Sequence, residues 1–327
     1  VKLCVYGAGA IGGHVAARLH RGGTQVSLIA RGPHLAAIRE RGLTVHTPDG
    51  IVEARIPATD TPAELGPQDA VIVTVKTPAL PSVAAGIAPL LGPDTPVLFV
   101  MNGIPWWYFD HHGGPHDGLR LPEADPGDAL RRAVGIARTL GGVVYSASEV
   151  SAPGVVHCER GNSRLILGEP DGRITDRARA IAAALEAGGM AAPVSPDIRT
   201  EVWAKLLGNL GSGPLCVLTR MGVRDTYADP LLREAAWRSA EEGRAIAAAL
   251  GRPLPAEASE RIRNATMAHK PSILQDLELG RPMELDTLFG LPLKLARIAG
   301  VPTPQLDLLV ALAKQAARAR GLYPSIG

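Results

Sequence analysis

Apolar residues come in short strand-like runs over the first part of the chain and at helical spacing over the last part. Residues 2–6 form an apolar run that enters a glycine-rich turn at 7–12, and 13–21 carry the spacing of a helix. A second apolar strand is expected over 25–30. Together these segments make a βαβ unit of about 30 residues, the length a right-handed crossover needs. A short helix is expected over 34–41. A hairpin is expected over 43–56, with Pro48-Asp49-Gly50 as its turn. Two Val-rich runs, 70–75 and 96–101, are too short for helices and are expected as buried parallel strands. Helical periodicity fills 79–90 between them.

The stretch 113–126 is rich in Gly, Pro and Asp and reads as a loop. An antiparallel strand group is expected over 143–167, an amphipathic helix over 175–187, and a last strand over 191–194. Strand signals stop near Pro196. From there the pattern is helical, broken at Gly251, Pro253, Pro271, Gly280, Pro282, Gly300 and Pro302. The predicted organisation is an α/β domain over 1–195 followed by an all-α helical domain over 196–327. Two domains also suit a chain of 327 residues. Long Ala-rich helices over 229–250 and 304–320 are compatible with a homodimer.

Composition narrows the function classes. Hydrophobic residues make up 46% and charged residues 20%, as in ordinary globular proteins. A net charge of +2 gives no argument for nucleic acid or an anionic membrane surface. Aromatics are scarce at 4%, so Ala, Leu, Ile and Val must build the cores. Cys4, Cys158 and Cys216 are far apart and form no CxxC pair, which argues against a metal site or a disulfide framework. Free thiols and a start inside a core strand lead to the expectation of a cytoplasmic protein without a leader.

Gly7, Gly9 and Gly12 form G-x-G-x-x-G between a strand and a helix. The first glycine permits the tight turn, the second clears the approach of a pyrophosphate, and the third lets helix and sheet pack closely. This context makes the α/β half a Rossmann domain. Enzymes that use NAD place an acid at the end of the second strand, on the ribose hydroxyls. Here that end reads Ile29-Ala30-Arg31. A guanidinium there pairs with a 2′-phosphate, so NADP(H) is the expected cofactor. In the helical half, Lys205 and Asn209 lie four apart and share a helix face, with Gly213 one turn further. Ser272 follows Pro271, as at a helix start, and Glu284 follows the break at Gly280-Arg281-Pro282. Each of these residues taken singly reads first as a surface charge or a cap.

With those residues in view, the chain resembles the ketopantoate reductases (2-dehydropantoate 2-reductases) over nearly its full length. The resemblance rests on Gly7-Ala8-Gly9-Ala10-Ile11-Gly12, Arg31, Val75-Lys76, Met101-Asn102-Gly103, Trp203-Ala204-Lys205 with Asn209, and Ser272-Ile273-Leu274-Gln275-Asp276 continuing to Glu284-Leu285-Asp286. It implies a Rossmann domain, an all-helical domain and a substrate cleft between them. It also implies roles: Lys205 as general acid, Lys76 and Asn102 at the nicotinamide end and the substrate, and Asn209, Ser272 and Glu284 on the substrate's carboxylate and hydroxyl groups. Glu284 counts with Lys205 among the catalytic candidates.

The implied reaction is NADPH-dependent reduction of a 2-keto acid, with ketopantoate the leading substrate. Two departures keep other substrates open. The family usually has a second asparagine where this chain has Gly213. Trp106-Trp107-Tyr108 follows Asn102-Gly103 closely and reads either as an apolar substrate wall or as a packed loop or interface. The alternatives are a paralogue that reduces a bulkier keto compound and a non-catalytic NADP-binding sensor.

Overall fold

The computed structural model describes residues 1–159 and 161–324. The chain divides into two compact units. The first comprises Val1–Met101 and Pro105–Ile198; the second comprises Asn102–Ile104 and Arg199–Gly327. An α/β domain followed by an all-helical domain is therefore the architecture. The units divide after Ile198 rather than at 195, and a three-residue segment from the middle of the chain counts with the second.

The first unit is built on a seven-stranded sheet. Its strands are β1 (Lys2–Tyr6), β2 (Gln25–Ile29), β5 (Ala58–Thr59), β6 (Ala70–Val73), β7 (Val97–Val100), β8 (Thr139–Tyr145) and β11 (Arg164–Gly168). Their order is β11-β8-β7-β6-β1-β2-β5. All neighbours run parallel except β8 and β11. The central strands are apolar along their whole length because helices cover a parallel sheet on both faces. Leu3, Val5, Leu28, Ile72, Leu98 and Leu140 belong to that core. Helices α1 (Ala10–Arg21), α2 (Gly32–Arg41), α3 (Leu80–Gly86), α4 (Ala129–Ala133) and α5 (Asp176–Ala187) connect and cover the strands. Thr175 caps α5, its hydroxyl oxygen accepting from the Ala178 N–H.

The structure corrects several local expectations. Strand signal over 143–167 begins earlier, at Thr139, and divides between two sheets. The hairpin β3 (Leu43–Thr47) and β4 (Gly50–Ala54) joins β9 (Ser148–Ala152) and β10 (Val155–Cys158) in a second sheet of order β4-β3-β10-β9. Within it β10 runs parallel to β3, so the group is not purely antiparallel. Residues 191–194 make only isolated bridges, Ala191 to Arg164 and Val194 to Leu167, and form no strand. Helix α3 is shorter than 79–90 and is flanked by 3₁₀ turns carrying Pro78 and Pro89. Proline cannot donate the N–H that would extend the helix.

Helix α1 lies against the second sheet and buries a polar chain there. The Arg18 Nε donates to His14 Nε2 at 3.1 Å. The His14 Nδ1–H is thereby left to donate to the Ser146 hydroxyl, 3.1 Å away. Ser146 and Ser148 hydroxyls are 2.6 Å apart, and Ser148 donates to Cys158 Sγ. Burial and the Arg18 charge push His14 down to about 4, so it is neutral near pH 7.

The second unit is helical: α6 (Ile198–Thr219), α7 (Val223–Thr226), α8 (Pro230–Ala249), α9 (Glu257–Arg263), α10 (Ser272–Leu279), α11 (Leu291–Ile298) and α12 (Pro304–Arg318). Asp229 caps α8 through the Leu231 and Leu232 N–H groups, with Pro230 at the first helical position. Helix α6 is apolar on most sides, with Trp203, Leu206, Leu207, Leu210, Leu215 and Cys216 buried, which marks it as the unit's central helix. A π-helical turn, Asp286–Gly290, leads directly into α11. Among the described residues, no helix is long and apolar enough to cross a membrane.

Candidate functional site

The glycine turn of the first unit is held open by its own backbone. The Gly7 and Ala8 N–H groups both donate to the Ile29 carbonyl, tying the turn to β2. Thr74, just past β6, donates its hydroxyl to the Gly7 carbonyl at 2.6 Å. Gly7 sits at φ +109°, a conformation other residues rarely adopt. A side chain at Gly12 would lie 1.8 Å from the Gly7 carbonyl oxygen, so only glycine lets α1 start there. Gly9 caps α1 and is exposed, and a Cβ there would meet nothing within 4 Å. Ala8 is buried, while Ala10 and Ile11 begin the helix half-buried. The first turn of a helix leaves N–H groups without helical partners, and the dipole favours an anion beside them. Open space over Gly9 at such a helix start fits a pyrophosphate.

Arg31 follows β2 directly, is exposed, and caps α2 with extended backbone. Its charge reaches Tyr6, whose phenol is nevertheless pushed up, mainly by burial. No acidic side chain stands at 30–32, so the residues present suit a ribose that carries a phosphate. Lys76 is exposed after β6 and caps the 3₁₀ turn Thr77–Ala79.

The second unit assembles a different group. Lys205, from the first half of α6, donates its Nζ to Oδ1 of Asn102 at 2.6 Å. Asn102 comes from a segment 103 residues earlier. Burial pushes the Lys205 ammonium down from 10.5 to about 8, and the Glu284 carboxylate acts in the opposite direction. Lys205, Asn102 and Glu284 are thus one electrostatic group: an ammonium with a lowered pKa, an amide oxygen and a carboxylate, of which Glu284 is almost fully buried.

Two backbone contacts hold the pieces. The Ile104 N–H donates to the Thr287 carbonyl at 3.3 Å, and Leu288 N–H donates to the Glu284 carbonyl at 3.0 Å. Gly103 has φ +77°, and a Cβ there would lie 2.3 Å from the Thr287 oxygen. Glycine at 103 therefore lets the Asn102 segment reach the π-helical turn. Nothing local in the sequence announces Thr287. The one available signal is Asn102-Gly103 directly after a buried strand, a pair that favours positive φ.

The remaining candidates are more dispersed. Asn209 sits one turn beyond Lys205 on α6, half-buried. Ser272 opens α10 and is exposed. Among the described residues, the side chains of Asn209 and Ser272 form no hydrogen bond to Lys205 or Glu284. At Gly213 the space a side chain would take is filled by the Phe289 ring: a Cβ there would be 2.7 Å from its Cζ. The aromatic run belongs to the first unit's core. Trp106, Trp107, Tyr108 and Phe109 are at most 1% exposed. Trp106 meets Phe99 edge-on at 5.6 Å, and Trp107 packs on the backbone of Gly141. Arg131 lies 5.2 Å from the Trp106 ring centre and forms a bidentate pair with Asp110. The packed-loop reading of this run therefore holds, and it supplies no open substrate wall.

Comparison with known proteins is consistent across both units. Residues 3–106 match the family model described as ketopantoate reductase PanE/ApbA, and residues 197–317 match its C-terminal counterpart. The 2-dehydropantoate 2-reductase of Mesorhizobium japonicum is 42% identical over 99% of this chain and 100% of its own. The chain belongs to the ketopantoate reductase family. Among solved structures of that family, a provisionally named ketopantoate reductase of Ralstonia solanacearum superposes with a TM-score of 0.90 at 40% identity, covering 98% of this chain and 99% of the other. The 2-dehydropantoate 2-reductase of Methylococcus capsulatus gives 0.83 at 25% identity, covering 100% and 99%. D-mandelate dehydrogenase, solved with NADH and anilino(oxo)acetate, shares the fold at 0.83 and 23% identity, covering 98% and 100%.

Proposed function

We propose that this chain is an NADPH-dependent reductase of a 2-keto acid, with 2-dehydropantoate as substrate and Lys205 as general acid. The observation that carries the reading is the Lys205–Asn102 hydrogen bond beside Glu284, in a member of this family. The nicotinamide cofactor supplies the hydride when bound. As negative charge grows on the carbonyl oxygen, an ammonium beside it stabilises that charge and delivers the proton. An unperturbed lysine holds its proton too tightly for transfer near neutral pH, and burial brings Lys205 to about 8. Asn102 holds the ammonium in one orientation. Glu284 accepts from a substrate hydroxyl, so a substrate lacking that group leaves a buried carboxylate unpaired and is rejected. Arg31 pairs with the 2′-phosphate, and the helix start after Gly9 takes the pyrophosphate, with Lys76 near the nicotinamide end. Asn209 and Ser272 bind the substrate's carboxylate and hydroxyl groups. The setting is cytoplasmic.

A second reading keeps the chemistry and changes the substrate. It is favoured by Phe289 in the space beside Gly213, where an apolar ring stands in place of an amide. The substrate would then carry an apolar group in place of a polar one.

The test is NADPH oxidation, followed at 340 nm, with ketopantoate, branched and aromatic 2-keto acids. The first reading expects ketopantoate to give the highest kcat/KM, with turnover near the usual enzyme scale of about 10 s⁻¹. A preference for an aromatic or unbranched acid would select the second. Cofactor binding with no turnover on any member would leave a non-catalytic NADP-binding protein.

A further inference from the structure

We propose that the C-terminal tail is a positioning device for the Lys205 group. Tyr323 and Lys314 fix Asp286, the first residue of the π-helical turn, and that turn seats the Asn102–Ile104 segment against Lys205. The proposal rests on the reading of Lys205 as the proton donor.

Asp286 stands two residues after Glu284 and one before Thr287. Its Oδ1 accepts from the Tyr323 hydroxyl at 2.6 Å and from Lys314 Nζ at 3.0 Å. Lys314 and Arg318 lie four apart on α12 and share a face. Both stand over the Tyr323 ring, at 5.1 and 5.0 Å from its centre. Single ion pairs at the surface contribute little, but here four contacts from three residues converge on one carboxylate and one ring. A π turn is a rare and weakly bonded element that persists where its surroundings hold it. This one carries two loads. Its Thr287 carbonyl accepts from Ile104 N–H, which sets Asn102 opposite Lys205. Its Leu288 N–H ties back to the Glu284 carbonyl. A shift of Asp286 therefore moves both neighbours of the ammonium together. Geometry at a proton donor is unforgiving, and a displacement of about 1 Å can cost a hundredfold in rate.

Two variants test the device. Tyr323→Phe removes one hydroxyl and keeps the ring for Lys314 and Arg318. Asp286→Asn keeps the size and removes the charge. The direct readout is the titration midpoint of Lys205, followed by carbon-13 NMR of lysine-labelled protein and assigned with Lys205→Ala. It needs no substrate. In both variants the midpoint should fall by about one pH unit, the scale of a weakened charge-assisted hydrogen bond. At pH 7.5, kcat should fall about threefold to tenfold while KM changes less than about twofold. Should Asp286→Asn fail to fold, Gly103→Ala pushes on the Thr287 carbonyl directly and should give the same shift. Folded Tyr323→Phe protein with wild-type midpoint and wild-type kcat overturns the proposal and leaves the tail a simple tether. A wild type that turns over no 2-keto acid, yet shows the midpoint shift in the variants, removes the catalytic reading and upholds the positioning.

Discussion

The Lys205 ammonium is hydrogen-bonded to the Asn102 amide oxygen at 2.6 Å, and that amide belongs, with Gly103 and Ile104, to the second unit although Met101 before and Pro105 after belong to the first. Lys205, the proposed proton donor, and its amide partner are thus held within one compact unit. Replacing Lys205 with Ala should lower kcat at least about a hundredfold, the scale of losing a general acid, with cofactor affinity unchanged. Near-normal turnover in that variant would remove Lys205 from the mechanism.

The rate of reduction should depend on pH through the same group. Lys205 must carry its proton to donate it, and burial sets its midpoint at about 8. Turnover of the keto acid should therefore be level below pH 8 and fall above it, approaching tenfold per pH unit. Oxidation of the product should rise over the same range, because it needs the neutral amine. The check is kcat against pH in both directions; an alkaline limb centred above 10 would show that Lys205 is not the group titrating.

Arg31 should decide the cofactor. Its exchange for Ala removes the charge-assisted pair proposed with the 2′-phosphate and should raise KM for NADPH about tenfold to a hundredfold. The value for NADH should stay within about threefold. Equal losses with both cofactors would place Arg31 on something other than the phosphate.

Gly213 and Phe289 should behave as a pair. Gly213→Asn forces a side chain against the ring and should cost about 1–3 kcal/mol. Phe289→Ala opens a cavity and should cost about 3–5 kcal/mol. Combined, they should cost less than the two single losses added, by at least about 1 kcal/mol. Strict additivity in denaturant unfolding would deny that the ring fills that space.

Stability should also fall in acid because of His14. Its folded midpoint of about 4 lies below the ordinary 6.5. Between those values the unfolded chain binds the proton and the folded one does not, so stability decreases as pH drops from 6.5 towards 4. A gap of that size corresponds to on the order of 3 kcal/mol. His14→Gln should flatten the slope of melting temperature against pH over this interval. An unchanged slope would assign the acid sensitivity to other groups.

The Rossmann half was legible because its signals are local. Lys2–Tyr6, the glycine turn and Gln25–Ile29 each declare themselves within a few residues. The hairpin of the second sheet was legible too, but its pairing was not, because Ser148–Ala152 is short, polar and half-exposed, and β10 is paired to a strand more than a hundred residues away. Lys205, Asn102 and Glu284 were visible as residue types on a family pattern, and the structure brings these three together. The π-helical turn was invisible: its geometry answers to Ile104, Lys314 and Tyr323, none of them adjacent to it in sequence. Gly213 was legible as a departure, but the ring that fills its space lies 76 positions away, beyond any local pattern.

The excursion of Asn102–Ile104 into the second unit has a consequence for how this architecture can be taken apart. No single cut yields both units intact. A break after Ile198 strands the amide partner of Lys205 on the wrong fragment, so the helical half made alone would lack it. Recombination between relatives faces the same constraint: a chimera joined near 198 pairs one parent's lysine with the other parent's asparagine segment, and works only where Gly103 and Thr287 still fit each other. The two compact units are therefore not interchangeable modules.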